Sequence, residues 1–63
     1  MSNMSNFTLA LEEFTVRAVG LSEEEVMGLA TLFFPEEFER AYALQLFNPE
    51  RYGNMTVAQV LTE

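Results

Sequence analysis

Glutamate is the one residue type in this chain that is frequent enough to suggest chemistry. The 63 residues include ten glutamates, and eight of them form three short clusters: Glu12, Glu13; Glu23, Glu24, Glu25; Glu36, Glu37, Glu39. Grouped carboxylates can bind a divalent cation or act as an acid–base pair. A di-iron bundle needs Glu-x-x-His pairs, and an EF-hand needs alternating Asp or Asn with a central glycine; the chain has neither. We therefore interpret the clusters as helix-start acids and solvated helix faces.

Other reactive side chains are missing from the composition. There is no histidine, cysteine, lysine or aspartate. This excludes an imidazole base, a thiol nucleophile, a Cys/His zinc site, a disulfide, a Schiff-base amine and a Walker-type phosphate loop. The serines have no base to activate them. We expect no catalytic residue, no metal site and no cofactor, and predict that the protein is not an enzyme.

The three arginines have different surroundings in the sequence. Glu13–Arg17 and Glu36–Arg40 are spaced i,i+4 with the acid first, which predicts two helical ion pairs of about 0.2–0.5 kcal/mol each. Helical spacing suggests no obvious partner for Arg51. Arg51 could anchor a loop carboxylate, contribute to a partner interface, where arginine is enriched, or be an ordinary loop residue.

Helix signals follow one another along the chain. Residues 1–5 repeat Met-Ser-Asn and are predicted to be a disordered leader, followed by a single helical domain over residues 6–63. Apolar residues spaced by three and four predict a first helix over 7–19, with Gly20 just beyond its end. Ser22 and Glu25 form a capping box that opens a second helix, ending near Phe33. Gly28 weakens this helix by up to ~1 kcal/mol.

The second half of the chain predicts two more helices. Pro35 fits the first position of a third helix that ends at Asn48-Pro49. A short turn follows, with Asn48 as a cap for one helical turn. Thr56 and Gln59 then form a weaker capping box before a short segment over 57–61. The prediction is an all-α fold: a small bundle of three main helices plus a short C-terminal helix.

Aromatic residues are unusually numerous for so small a core. Six phenylalanines and two tyrosines are present, and Phe33 and Phe34 point about 100° apart on a helix, so that both are buried only at a junction or under another chain. Excess exposed apolar surface marks protein–protein sites. We predict a partner-binding surface on the third helix and its junction with the second: Phe33, Phe34, Phe38, Tyr42, Phe47. Packing of all the rings within the monomer remains the alternative.

These features predict a small acidic, non-enzymatic protein-interaction module: an adaptor, inhibitor or regulatory subunit. A core of this size typically supplies only ~3–5 kcal/mol, and disulfides are excluded, so self-association is expected, with a dimer as the simplest form. The net charge of −7 predicts a partner with a basic rim. The same charge argues against direct contact with nucleic acid or an anionic membrane surface.

A second hypothesis assigns function to the acidic surface itself. Small acidic proteins of phages and mobile elements can imitate the phosphate track of nucleic acid and block a nucleic-acid-binding protein. A structural subunit of a larger assembly is a third. No run approaches 18 apolar residues and the N-terminus lacks a basic signal region, so we expect a cytoplasmic, intracellular location.

Overall fold

The computed structural model describes residues 6–62, and this range contains five helices and no strand. The helices are α1 Asn6–Ala18, α2 Glu23–Phe33, α3 Glu37–Phe47, the single turn α4 Pro49–Tyr52 and α5 Val57–Leu61. The predicted all-α bundle of three main helices and a short C-terminal helix is confirmed. The predicted disordered leader, residues 1–5, lies outside the described residues, and the single domain over 6–63 stays a prediction.

Side-chain caps begin the second and the fifth helix as the sequence predicts. Ser22 Oγ accepts a hydrogen bond from Glu25 N at 3.2 Å, and Glu25 Oε1 accepts one from Ser22 N at 2.9 Å. Thr56 and Gln59 form the same reciprocal pair at 3.2 Å and 2.8 Å. Each box satisfies two backbone N–H groups that have no partner within the helix. These short-range contacts explain why both helix starts are visible in the sequence.

The start of α3 differs from the prediction. Pro35 is not its first residue, because the helix begins at Glu37 with Glu36 as its N-cap. The Glu36 carboxylate accepts a hydrogen bond from Phe38 N at 3.1 Å. A carboxylate satisfies a free N–H group and favours the positive end of the helix dipole, which proline cannot do. The two residues before it, Phe34 and Pro35, connect α2 to α3.

Two glycines are expected to respond to alanine with opposite signs. Gly20 follows α1 with φ at +83°, in the left-handed region that alanine avoids, so Gly20→Ala should lower the free energy of unfolding by about 1 kcal/mol. Gly28 lies on the exposed side of α2, and a methyl group there would meet nothing within 4 Å. Gly28→Ala should therefore raise the free energy of unfolding by up to about 1 kcal/mol. Chemical denaturation of both variants checks the signs; a stabilised Gly20→Ala would contradict the turn geometry.

The core is formed by buried side chains from all five helices. Phe14 is its centre, because its ring lies 5.2 Å from that of Phe47 and 5.4 Å from that of Phe34, both edge-on. Ten hydrophobic residues are buried in this cluster: Phe14, Ala18, Val26, Ala30, Phe34, Ala41, Ala43, Leu44, Tyr52, Val60. Gln45 joins the C-terminal helices to α3 by donating from Nε2 to the carbonyls of Tyr52 (3.3 Å) and Met55 (2.9 Å).

None of the helices within residues 6–62 is both long enough and apolar enough to span a membrane. The cytoplasmic location stays a prediction.

Candidate functional site

The solvent-facing side of α3 is apolar. Phe38, Tyr42 and Leu46 are 69 %, 55 % and 49 % exposed, and they follow one another at intervals of four residues. Residues at i and i+4 lie one above the other on a helix, so the three side chains form a continuous line about 12 Å long. We call these three residues the outer stripe. The opposite side of α3 is buried through Ala43 and Leu44, so α3 is apolar on both its inner and its outer side.

The outer sides of the other two main helices are mixed. On α1 the exposed residues Leu9 and Val16 are separated by Glu12 and Glu13. On α2 the exposed Leu32 has no exposed large apolar neighbour one turn away, where Gly28 lies. Scattered exposed apolar residues are normal in globular proteins, whereas a contiguous line of them is not. Val19 and Leu21 are also exposed, but they lie in the α1–α2 loop and not along one helix. Within residues 6–62 the outer stripe is the longest line of large exposed apolar residues along a single helix, and we take it as the candidate site.

The middle of the outer stripe is held in place from below. The Tyr42 ring stacks on that of Phe7 with centroids 5.6 Å apart and planes 19° apart. Phe7 in turn contacts the buried Phe34 ring at 5.6 Å. Aromatic pairs at such distances contribute roughly 0.5–1.5 kcal/mol beyond their burial. Tyr42 is thus both exposed and oriented, as an anchor residue in an interface is expected to be.

The structure separates the five sequence-predicted contact residues into three groups: exposed, buried and half-buried. Phe38 and Tyr42 lie on the outer stripe. Phe34 is only 1 % exposed and is part of the core, so it is unavailable to a partner in this conformation. Phe33 and Phe47 are half-buried and pack against the core.

Leu46 belongs to the outer stripe but was not among the predicted contact residues. The signal that could have identified it is its spacing of four and eight residues from the two exposed aromatics. This spacing is ambiguous in the sequence alone, because Leu44 and Phe47 define a competing apolar line on the same helix. The packing of the other four helices against α3 decides which line is covered.

The three arginines all have partners within the described structure. Arg17 pairs with Glu13 at 2.6 Å, as predicted, but the second predicted pair is not formed. Arg40 instead donates from Nη1 to the Phe34 carbonyl at 3.0 Å, because that carbonyl ends α2 beside it and Glu36 is used as a cap. Arg51 pairs with Glu23 at 2.9 Å.

The surroundings of the outer stripe are negative. Glu36, Glu37 and Glu39 are exposed at its N-terminal end, and Glu50 is exposed just beyond the C-terminal end of α3. The one base on α3, Arg40, is directed to a backbone carbonyl of the preceding connection. The stripe is therefore an apolar line whose N-terminal end on α3 is flanked by exposed acids. Positive charge on a partner would complement this pattern.

A shallow groove lies on another side of the molecule. It has a volume of about 250 Å³ and is bordered by the α1–α2 loop and by Phe47, Arg51 and Tyr52. The volume lies below the roughly 300–1,000 Å³ typical of small-molecule sites. Arg51 spans its edge through the ion pair with Glu23 and lies 5.5 Å from the centroid of the Tyr52 ring. These contacts give Arg51 a structural role that joins α4 to α2.

Residues 6–62 contain no group of three or more acidic side chains placed to hold a metal ion. The prediction that the protein is not an enzyme stays a prediction. No family model, curated protein or solved structure matches this chain with significant similarity. Any functional assignment therefore rests on the chain's own surface.

Proposed function

We propose that this chain is a non-enzymatic protein-interaction module, acting as an adaptor, inhibitor or regulatory subunit, and that the outer stripe of α3 is its contact surface. One observation carries the proposal: the solvent-facing side of the central helix holds three large apolar residues in succession. Two of the five contact residues expected from the sequence, Phe38 and Tyr42, belong to this surface. Leu46 completes it.

The physical support is the cost of leaving such a surface in water. Two aromatic residues and one leucine of this surface are each about half exposed or more. Burying them against a partner would stabilise the complex by roughly 25 cal/mol for each Å² of apolar surface removed from water. A helix that presents anchors at intervals of one turn suits the mode in which a helix lies in a partner's hydrophobic groove. Aromatic residues are also enriched in interface centres. The stripe therefore fits a protein partner better than a small ligand.

The acidic surroundings support a partner whose rim is basic. The chain carries a net charge of −7, and its arginines are engaged in internal contacts. Complementary charge at the rim raises the association rate and selects the partner, while the buried apolar contacts supply most of the affinity.

The alternative assignment is that the acidic surface itself imitates nucleic acid. The local structural roles of several glutamates weaken the hypothesis of nucleic-acid mimicry. Glu13 and Glu23 pair with arginines, Glu25 completes a capping box, and Glu36 caps α3. These ion pairs and helix caps, together with the preference for negative charge at a helix N-terminus, account for such acids without a nucleic-acid-binding partner. The alternative is kept as an outcome of the following test.

The test compares the partner proteins that four tagged chains capture from the native host. Three of them are the unchanged protein, Phe38→Ala and the control Leu32→Ala. The fourth is a charge variant that combines Glu12→Gln, Glu37→Gln and Glu39→Gln. We expect a partner retained by the unchanged chain and by Leu32→Ala to be lost with Phe38→Ala, and to remain bound in moderate salt. The charge variant should bind more slowly but only several-fold more weakly. Loss with the charge variant and with salt, but not with Phe38→Ala, would favour nucleic-acid mimicry instead.

A further inference from the structure

We propose that Met27 is a site of reversible oxidation by hydrogen peroxide, and that the resulting sulfoxide is held by the buried hydroxyl of Tyr52. A methionine sulfoxide ordinarily weakens the packing around it. At this position it strengthens the contact between α2 and α4. None of the residues involved belongs to the outer stripe, so the inference is independent of the proposed function.

The main observation is that a buried hydroxyl is directed at a sulfur atom. Tyr52, on α4, is only 2 % exposed, and its hydroxyl donates to Sδ of Met27, on α2, at 3.7 Å. A thioether sulfur is a weak acceptor, whereas a buried tyrosine hydroxyl usually finds a stronger one. The contact between α2 and α4 therefore contains a donor whose hydrogen-bonding capacity is only partly used.

The same sulfur can be reached by a small oxidant. Met27 is half-buried and borders a surface depression of about 280 Å³ together with Glu23, Glu24, Arg51 and Tyr52. Hydrogen peroxide is only slightly larger than water, which takes up about 30 Å³ in the liquid. When the sulfur attacks one peroxide oxygen, an S–O bond forms and the O–O bond breaks. The departing hydroxide takes the proton of the transferred oxygen and becomes water, so the sulfur is oxidised and the peroxide is reduced.

The sulfoxide oxygen fits the Tyr52 hydroxyl without a change in the backbone. The methionine side chain is unbranched and flexible, so rotation near its end can carry the new oxygen toward the hydroxyl. With an S–O bond of about 1.5 Å and an angle of about 120° at that oxygen, the present 3.7 Å between Sδ and the hydroxyl places the two oxygens about 2.7 Å apart. This is the ordinary length of an O–H···O hydrogen bond. The sulfoxide oxygen therefore replaces the sulfur as a stronger acceptor.

The other methionines do not share this arrangement within the described structure. Met55 is half-buried in the turn before α5, and no hydroxyl of residues 6–62 donates to its sulfur. Met1 and Met4 lie outside the described residues. The chain contains no cysteine, so methionine is its only sulfur-containing residue. Oxidation at Met55 should loosen its surroundings in the ordinary way, which makes Met27 the distinctive site.

A double-mutant cycle on the oxidised and the reduced protein tests the inference. It compares the unchanged chain, Tyr52→Phe, Met27→Leu and the combination of both changes, each before and after peroxide treatment. Peptide mapping by mass spectrometry shows which methionines have gained an oxygen, and the Met27→Leu chains subtract the effect of the other sulfoxides. Chemical denaturation then gives the folding equilibrium constant. We expect the effect of oxidation at Met27 on this constant to be roughly two- to tenfold more favourable with the Tyr52 hydroxyl than without it.

A spectroscopic measurement decides the question even if Tyr52→Phe does not fold. In a Tyr42→Phe chain, Tyr52 is the one remaining tyrosine. Peroxide treatment should shift its near-ultraviolet absorbance to longer wavelength, because its hydroxyl then donates a stronger hydrogen bond, and a methionine sulfoxide reductase should reverse the shift. The same chain with Met27→Leu should show no shift.

Three outcomes would overturn the inference. The first is a Met27 that stays unoxidised in the folded chain while Met55 is oxidised completely. The second is an equal effect of Met27 oxidation on the folding equilibrium with and without the Tyr52 hydroxyl. The third is a tyrosine absorbance that peroxide leaves unchanged, or that it shifts equally in the Met27→Leu chain.

Discussion

Phe14→Ala is expected to unfold the domain. Phe14 is fully buried and its ring contacts those of Phe33, Phe34 and Phe47, so it joins α1 to the end of α2 and to α3. Truncation of a buried phenylalanine typically costs about 3–5 kcal/mol. A domain of this size has about that much stability in total. Far-ultraviolet circular dichroism should show loss of most helical signal at room temperature.

The matched control is Val16→Ala, on the same helix and 71 % exposed. It should change the free energy of unfolding by no more than about 0.5 kcal/mol. A Phe14→Ala variant that melts cooperatively within a few degrees of the unchanged protein would contradict the placement of this ring at the core centre.

The double change Phe38→Ser with Leu46→Ser is expected to abolish binding while leaving the fold intact. Both side chains are at least about half exposed, so their removal takes little from the core and should shift the free energy of unfolding by less than about 1 kcal/mol. Loss of two anchor residues should weaken association about a hundredfold or more. Thermal unfolding reports the stability of each variant, and a separate measurement reports its association with itself or with a captured partner. Together they separate a loss of binding from a loss of stability.

Leu32→Ser is the control for loss of exposed apolar surface in general, since Leu32 is more exposed than either residue of the double change. It should associate like the unchanged protein. If Leu32→Ser weakened association as much as the double change, the outer stripe would have no special role.

The helices could be predicted from the sequence because their signals are local. Ser22 with Glu25 and Thr56 with Gln59 are capping pairs three residues apart, and the structure forms both. The predicted start of α3 at Pro35 is wrong, because both proline and glutamate are favoured in the first turn of a helix and the sequence has Pro35 followed by two glutamates. In the structure the Glu36 carboxylate caps the helix by accepting from Phe38 N, so the helix begins after it.

The outer stripe could be predicted only in part from the sequence, because the direction of each ring depends on tertiary packing. Phe34 stands where α2 ends and the helical periodicity is interrupted, so its orientation follows from the α2–α3 connection and not from spacing. The structure turns it into the core, against Phe7 and Phe14. The spacing of Phe38 and Tyr42 places them on one apolar line of the helix, but their exposure depends on how the other four helices pack against α3.

The partner of Arg40 could not be predicted from the sequence for the same reason: it depends on tertiary packing and not on local spacing. Its i,i+4 spacing from Glu36 predicted an ion pair worth a few tenths of a kcal/mol. The structure gives it a carbonyl partner from the chain segment before α3, a contact that no helical spacing rule describes. Arg40, the one base on α3, is therefore partly buried and directed to a backbone carbonyl instead of a carboxylate.

Photo-crosslinking from position 42 tests the central claim most directly. A benzophenone amino acid would replace Tyr42 in one chain, and Leu32 in a matched chain, and each would be irradiated in the native host at equal expression. The account predicts discrete crosslinked species, to a second copy or to another protein, from position 42 alone, and their loss when Leu46→Ser is added. Equal crosslinking from both positions, or none from position 42, would contradict the assignment of the outer face of α3 as the contact surface.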